Sequence, residues 1–321
     1  MSPRPRTVAE IGEFAVIGRA TASRTQPAST LLGPGDDAAI VSASDGRVAV
    51  SADMLVEGRH FRFDWSSPRE VGRKALAQNA ADIFAMGASP TALVVSIGCP
   101  ADTPVDVVDA ISAGIGEAAE ELGAGVVGGD LVQSDQVVVS VTVLGDLGGG
   151  EPVLRSGAGI GDVVAVTGGL GRSAAGLALL RAGADYGAAG LDGLVAAHRV
   201  PAPPYAAARA ASDSATSMTD VSDGLLADLG HLCAASGVSI DVESALLQPG
   251  TDIDVAAELL GVDPREWIMT GGEDHAFAAT FREESDLPEG WTRIGRVRDG
   301  SGVSIDGSPA TGGAGWESFS V

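Results

Sequence analysis

Carboxylates set beside glycine recur along this sequence in a pattern suited to cation-assisted phosphate chemistry. Six motifs carry them: Gly35-Asp36-Asp37, Ser51-Ala52-Asp53, Asn79-Ala80-Ala81-Asp82, Gly128-Gly129-Asp130, Asp220-Val221-Ser222-Asp223-Gly224 and Gly271-Gly272-Glu273-Asp274. Glycine allows a sharp turn and the close approach of a ligand, so a neighbouring carboxylate can point into a cleft. Converging carboxylates repel one another. Two unit charges about 4 Å apart interact by roughly 4 kcal/mol at an effective dielectric of 20. Such a set persists only around a cation. Hard oxygen donors and few histidines point to magnesium, which carboxylates usually hold in the service of a phosphate substrate.

Composition narrows the partners. The 321 residues suffice for two ordinary domains, and 45% apolar content suffices for real cores. With 43 acidic and 20 basic residues the chain carries −23, which argues against nucleic acid or an anionic membrane as a partner. An acidic chain that handles a polyphosphate must recruit cations. Cys99 and Cys233 have no metal-type spacing, and their scarcity fits a reducing cytoplasm. Met1-Ser2-Pro3-Arg4-Pro5-Arg6 has no apolar stretch behind it, so no signal peptide is expected, and no run is long enough for a membrane span.

The elements that must position these motifs are legible in outline. A domain junction is expected at Gly148-Gly149-Gly150-Glu151-Pro152, dividing residues 1–148 from 149–321. In the first half, a strand over 48–51 should end at Asp53, and a helix over 69–86 should carry Asn79 and Asp82 as neighbours. Thr103-Pro104 reads as a cap and first-turn proline. A short strand over 125–127 should deliver Gly128-Gly129-Asp130 at its end, between further strands over 91–97 and 137–144. In the second half, strands are expected over 162–167, 214–219, 238–242, 276–281, 292–297 and 302–305. Helices are expected over 172–182 and, capped by Ser222, from there to about Ala235. Strands and helices alternate without strict βαβ spacing. The fold class is therefore α/β (α+β) with two domains, and not a doubly wound nucleotide fold.

Each motif has a plainer reading. Gly33-Pro34-Gly35-Asp36-Asp37 also fits a simple β-turn. Asp82 lies in an apolar helix, where an unpaired carboxylate is costly, although a local bond would satisfy it. Ser222 and Asp223 fit a helix N-terminus as cap and dipole partner, a place that also attracts phosphate. Thr167-Gly168-Gly169-Leu170-Gly171-Arg172 is a weaker phosphate-loop candidate and more simply a strand–helix turn. A lone histidine such as His60 fits a structural role, and Trp316 fits either a core plug or a stacking platform. No Walker motif and no protein-kinase motif set is present.

Taken in order, the motifs resemble those of the thiamine-monophosphate kinase family. The resemblance rests on the six motifs together with Glu57-Gly58-Arg59-His60-Phe61, Lys74-Ala75-Leu76-Ala77, Met86-Gly87-Ala88, Arg155-Ser156-Gly157 and Leu225, over nearly the whole chain. It implies the two-domain fold shared with aminoimidazole ribonucleotide synthetase, a homodimer joined through the N-terminal domains, and transfer of the ATP γ-phosphoryl group to thiamine monophosphate. It implies that Asp37, Ser51, Asp53, Asp82, Asp130, Asp220 and Asp223 hold several magnesium ions. Gly129, Asp130, Arg155 and Ser222 would contact ATP, while His60, Glu273 and Trp316 would line the thiamine site. No covalent nucleophile is implied. Two positions depart from the family pattern: Ala52 stands where threonine is frequent, and His275 where tyrosine is frequent. Other members of the superfold fit less well. A hydrogenase-maturation dehydratase needs a C-terminal cysteine, and selenophosphate synthetase a reactive residue before Cys99. An aminoimidazole ribonucleotide synthetase-like enzyme and a non-catalytic nucleotide or metal sensor complete the alternatives.

Overall fold

The computed structural model describes residues 6–21, 26–34, 38–284, 287–310 and 315. They fall into two compact units, residues 1–83 with 88–150 and residues 84–87 with 151–321. The first unit opens with α1 (Val8–Ile11), started by a reciprocal capping box between Thr7 and Glu10, and α2 (Glu13–Thr21). A small ribbon of β1 (Thr30–Leu32) and β2 (Ile40–Val41) follows. Then come β3 (Ala49–Val56), α3 (Pro68–Ala85), β4 (Ser89–Cys99), α4 (Val105–Glu121), β5 (Gly125–Gln133) and β6 (Val138–Asp146). The sheet order is β3-β6-β4-β5, with β4 and β5 parallel and the other pairs antiparallel.

Along β6, Val139, Val141 and Val143 are buried and alternate with half-buried Val138, Ser140, Thr142 and Leu144. That period of two gives the sheet one face turned to the helices and one turned outward. Two glycines let the helices on the inner face cross closely. A Cβ on Gly72 of α3 would stand 2.0 Å from the Ile111 carbonyl, and one on Gly114 of α4 would stand 2.1 Å from the Arg69 carbonyl.

The strands of this unit extend past the expected ends. Asp53 is not the end of a strand, because all eight residues of β3 pair with β6. Gly128-Gly129-Asp130 does not follow β5 but lies inside it, aligned with Val94, Val95 and Ser96 of β4. Glycine and aspartate are poor strand formers in isolation, yet here the ladder pairs them. A Cβ on Gly129 would meet the Val95 carbonyl at 2.1 Å, so this glycine serves close approach of two backbones, not a turn. Thr103 does not cap α4. Pro104 occupies the N-cap without a side-chain bond, and the Val105 N–H donates to the Arg6 carbonyl.

The second unit contains β7 (Val163–Thr167), α5 (Arg172–Ala182), α6 (Asp192–Arg199), α7 (Tyr205–Ala211), β8 (Ala215–Val221), α8 (Leu225–Ser236) and β9 (Ser239–Val242). A 3-10 turn (Ser244–Leu246), α9 (Thr251–Leu260), α10 (Pro264–Thr270), β10 (Ala276–Phe281), β11 (Thr292–Arg298), β12 (Gly302–Ile305) and β13 (Ser308–Pro309) complete it. Its seven strands run in the order β13-β12-β9-β11-β7-β10-β8. The central strands β7 and β10 are buried along their whole length. One core, including Leu229, Leu232 and Ile240, forms between the sheet and α8. A second, including Leu179, Leu194 and Ile253, joins α5, α6 and α9. Ser222 does not cap α8. Gly224 holds that position at φ 125°, and the helix is anchored differently, as described below.

Candidate active site

In the N-terminal unit the expected metal residues separate into two places. Ser51 and Asp53 share the inner face of β3 and turn toward α3. The Ser51 hydroxyl donates to Asp82 Oδ2 at 2.5 Å, and the Asp53 N–H donates to Asn79 Oδ1 at 2.8 Å. Asn79 Nδ2 in turn donates to the Ala75 carbonyl at 2.8 Å, which fixes the amide and, through it, the strand. Asp82, read from sequence as a costly carboxylate in an apolar helix, thus has a hydroxyl partner and remains half-buried. Asp130 lies elsewhere. Asp53 pairs with Val141, which pairs with Val95, which pairs with Gly129, so Asp130 is on the opposite edge strand. Three strand spacings separate the edges, roughly 14 Å. Its partner across the ladder is Ser96, whose side chain is exposed on the outward face. Beside Gly129 and Asp130 is a largely apolar pocket walled by Val16, Ile17, Val95, Ile97 and Ile115. Ala52 lies exposed between Ser51 and Asp53, and by strand alternation its side chain leaves on the outward face. His60 closes a turn after β3: the Val56 N–H donates to its Nδ1 at 3.0 Å, and buried Lys74 donates to its carbonyl at 3.0 Å.

In the C-terminal unit, two glycine-bearing turns are stitched side by side. The β8–β10 ladder pairs Asp220 with Phe277 and continues past the strands. The His275 N–H donates to the Val221 carbonyl at 2.9 Å, and the Glu273 N–H donates to the Ser222 carbonyl at 2.7 Å. Asp220 and Asp223 are thereby held next to Glu273. Buried Asp220 lies 3.1 Å from His275 Nδ1, so the residue where the family often has tyrosine bonds a metal-type carboxylate. Asp228, 1% exposed on the first turn of α8, reaches back to the turn. Its Oδ2 accepts the N–H groups of Ser222, Asp223 and Gly224 at 3.0, 3.1 and 3.1 Å. A carboxylate inside the helix therefore does the capping that Ser222 was expected to do.

Burial, and next the charge of Asp220, pushes the Asp228 carboxyl up to about 7. The same two causes raise Asp223, opposed by His231, His275 and Arg155. Crowded carboxylates that favour protonation are a donor set a divalent cation suits, since it neutralises what protons otherwise would. Among the described residues, one group of three ligand-type side chains has its donor atoms within 4.8 Å of one another: Asp223, Asp228 and His231. Arg155 is exposed, and its carbonyl accepts from Ser236.

The Gly168–Arg172 loop is not open to phosphate. Buried Asp274 already occupies the N-terminus of α5, its Oδ2 accepting from the Gly171 N–H at 2.6 Å and its Oδ1 from the Ser173 N–H at 2.7 Å. Burial raises its carboxyl to about 7 despite those two bonds. Asp274 is flanked by two non-glycine residues in the left-handed region, Glu273 at φ 65° and His275 at φ 52°. Asp37 and Trp316 lie outside the described residues. The sequence reading missed Asp228, His231 and the helix-terminal role of Asp274. Asp228 carries the signal that singled out Asp82, a carboxylate within an apolar helical run.

A two-unit α/β chain with carboxylates on the strands and helix of one unit and on the turns of the other has the architecture of the AIR synthase-related proteins. The model of the AIR synthase related protein N-terminal domain matches residues 35–147, and that of the C-terminal domain matches residues 159–307. Within this class the similarity is specific. A thiamine-monophosphate kinase of Mycobacterium tuberculosis is 56% identical over 98% of this chain and 93% of its own length. The thiamine-monophosphate kinase structure from Stenotrophomonas maltophilia K279a superposes with a TM-score of 0.79 at 32% identity, covering 92% of this chain and 95% of its own. A structure described as AaThiL complexed with AMPPCP and TMP gives 0.78 at 32% identity, covering 99% and 100%. The chain belongs to the thiamine-monophosphate kinase family.

Proposed function

We infer that this protein transfers the γ-phosphoryl group of ATP to thiamine monophosphate, yielding thiamine diphosphate and ADP. The observation that carries this reading is the stitched pair of turns. It sets Asp220 and Asp223, carboxylates suited to cation-bound phosphates, beside Glu273, a carboxylate suited to a cationic ring. The related AaThiL structure, complexed with AMPPCP and TMP, supports the same pair of substrates.

The acceptor is a phosphate whose second pKa is about 6, so it is anionic near neutral pH and needs no strong base. The protein's task is to bring two anions together in line. Asp37, Ser51, Asp53, Asp82, Asp130, Asp220 and Asp223 are the residues we assign to magnesium. Their oxygen donors fit that ion, whose contribution when bound is to neutralise the phosphates. Arg155 brings a further positive charge to the nucleotide, and Gly129, Asp130 and Ser222 are assigned to ATP beside it, Ser222 through its hydroxyl because Asp228 takes its N–H. His60, Glu273 and Trp316 are assigned to thiamine, with Glu273 answering the thiazolium charge and Trp316 covering a ring.

We also propose a homodimer through the outward face of the N-terminal sheet, supported by Val50 and Met54, 62% and 54% exposed on that face. No described helix is long and apolar enough to cross a membrane. The two free, buried cysteines suit a cytoplasmic setting. The deciding experiment incubates the protein with ATP, magnesium and thiamine monophosphate. Thiamine diphosphate is the expected product. Binding of ATP without turnover, or turnover only with another acceptor, would overturn the assignment.

A further inference from the structure

A buried histidine behind Glu273 has no place in the scheme above. His198 is on the last turn of α6 and is 4% exposed. Its Nδ1 lies 3.0 Å from Ser173 Oγ and 3.5 Å from Glu273 Oε2. The Ser173 N–H is also one of the two donors to Asp274, the residue that follows Glu273. Glu273, His198, Ser173 and Asp274 thus form a closed ring drawn from α5, α6 and the turn before β10. The helices are held together where the ring needs them: a Cβ on Gly176 of α5 would stand 2.1 Å from the Leu194 carbonyl of α6 and 3.1 Å from His198 Cβ.

We propose that His198 is a positioning residue, which holds the Glu273 carboxylate in the orientation that receives the cationic end of the substrate. The proposal rests on the assignment of Glu273 to the thiamine site. Glu273 leaves the chain at a left-handed residue, φ 65°, so its side chain starts from an unusual direction, and its far end reaches the buried imidazole. The Nδ1 edge of His198 meets it there, with Ser173 orienting the ring. At 3.5 Å the contact is an electrostatic one, attractive when Nδ1 carries the proton and Ser173 Oγ accepts from the same edge. A purely structural ring would predict lost stability with no preference between the two substrates, whereas a positioning role predicts a selective loss.

The test is steady-state kinetics with each substrate varied in turn, on the folded enzyme, for His198→Ala, His198→Asn, Ser173→Ala and Glu273→Gln. His198→Ala and Glu273→Gln are each expected to raise KM for thiamine monophosphate about tenfold, a change of roughly 1.4 kcal/mol, with KM for ATP within about twofold. Ser173→Ala should shift the same constant in the same direction by a smaller factor, and it carries the test if His198→Ala does not fold. His198→Asn should recover most of the loss, because its amide nitrogen can occupy the Nδ1 position. An unchanged thiamine monophosphate KM in Glu273→Gln would overturn the assignment of Glu273 itself. A raised value there, with normal values in His198→Ala and Ser173→Ala, would overturn the role of His198 alone. A parallel rise for both substrates in His198→Ala, or no recovery in folded His198→Asn, would also overturn it.

Discussion

Asp228 shows how one carboxylate can organise a site without being its visible face. It accepts three successive N–H groups of the turn that carries Asp223 and follows Asp220 at the end of β8. Removing it leaves buried donors unmet, at about 1–3 kcal/mol for each group not rescued by water. Asp228→Ala is expected to lower stability by at least about 2 kcal/mol in urea unfolding. In the fraction that still folds, turnover should fall further than the stability loss accounts for, because the turn is no longer held.

Asp274 makes a pH prediction. Its carboxyl is about 7 in the folded protein, against roughly 3.9 unfolded. Between those values the folded chain holds a proton that the unfolded chain has released, so this group's contribution to stability falls as pH rises from about 4 to about 7. Below that window the contribution no longer changes, and above it the loss is complete. In Asp274→Asn, melting temperature against pH should slope less steeply downward over that window than in the parent, whatever the offset between the two curves. An identical slope would mean Asp274 does not titrate there.

At the scale of elements, the helices set the carboxylates by how closely they pack. α3 carries both Asn79 and Asp82 to β3, and α3 crosses α4 at Gly72 and Gly114. Gly114→Ala places a methyl against a main-chain carbonyl, which no side-chain movement relieves. A destabilisation of about 1–3 kcal/mol is expected, the usual cost of overpacking. Because α3 must shift outward, the Ser51–Asp82 contact should loosen too, and activity should drop at temperatures where the variant remains folded. The ion pairs of Arg69 with Glu117 and Arg73 with Glu121, which also join α3 to α4, lie at the surface. Their removal should cost under about 1 kcal/mol. A measured loss from Gly114→Ala no larger than that would show that the crossing is not fixed by these glycines.

For the whole molecule, the outward face of the N-terminal sheet is the feature that a folded monomer leaves unexplained. Val50 and Met54 on β3 and Val94 on β4 are exposed on it, while on the opposite face Leu55, Val95 and Val141 are buried. Met54→Glu is expected to move the species seen by analytical ultracentrifugation toward monomer, while far-ultraviolet circular dichroism stays unchanged. A parent protein that already sediments as a monomer at micromolar concentration would remove the dimer proposal. The charge of −23 adds a repulsive term between copies. Salt in the range that shortens the Debye length to a few ångströms should therefore favour association.

Much of this was legible in residues alone. Residues 172–182, 276–281 and 302–305 form a helix and two strands over the expected spans, the helix bounded by Gly171 and Gly183. The fold class and the family were legible for a related reason: acid–glycine motifs in fixed order are local chemistry, and local chemistry is written in sequence. Asp223 and Glu273 are neighbours because a ladder joins their turns, a pairing of β8 with β10 that no residue pattern announced. What the sequence did not reveal was long-range. Asp53 and Gly128-Gly129-Asp130 looked like strand ends, since glycine and aspartate usually stop strands, but pairing partners far along the chain carry the strands through them. Asp130 and Asp53 looked like parts of one cluster until the sheet order set them on opposite edges. Asp274 looked like half of an acidic pair until its carboxylate was found closing the N-terminus of a helix about a hundred residues earlier. Sequence determined which groups are present and which lie within a turn of each other. Tertiary structure decided which carboxylates face a ligand and which face the protein's own N–H groups, because that choice depends on backbone contacts between distant segments.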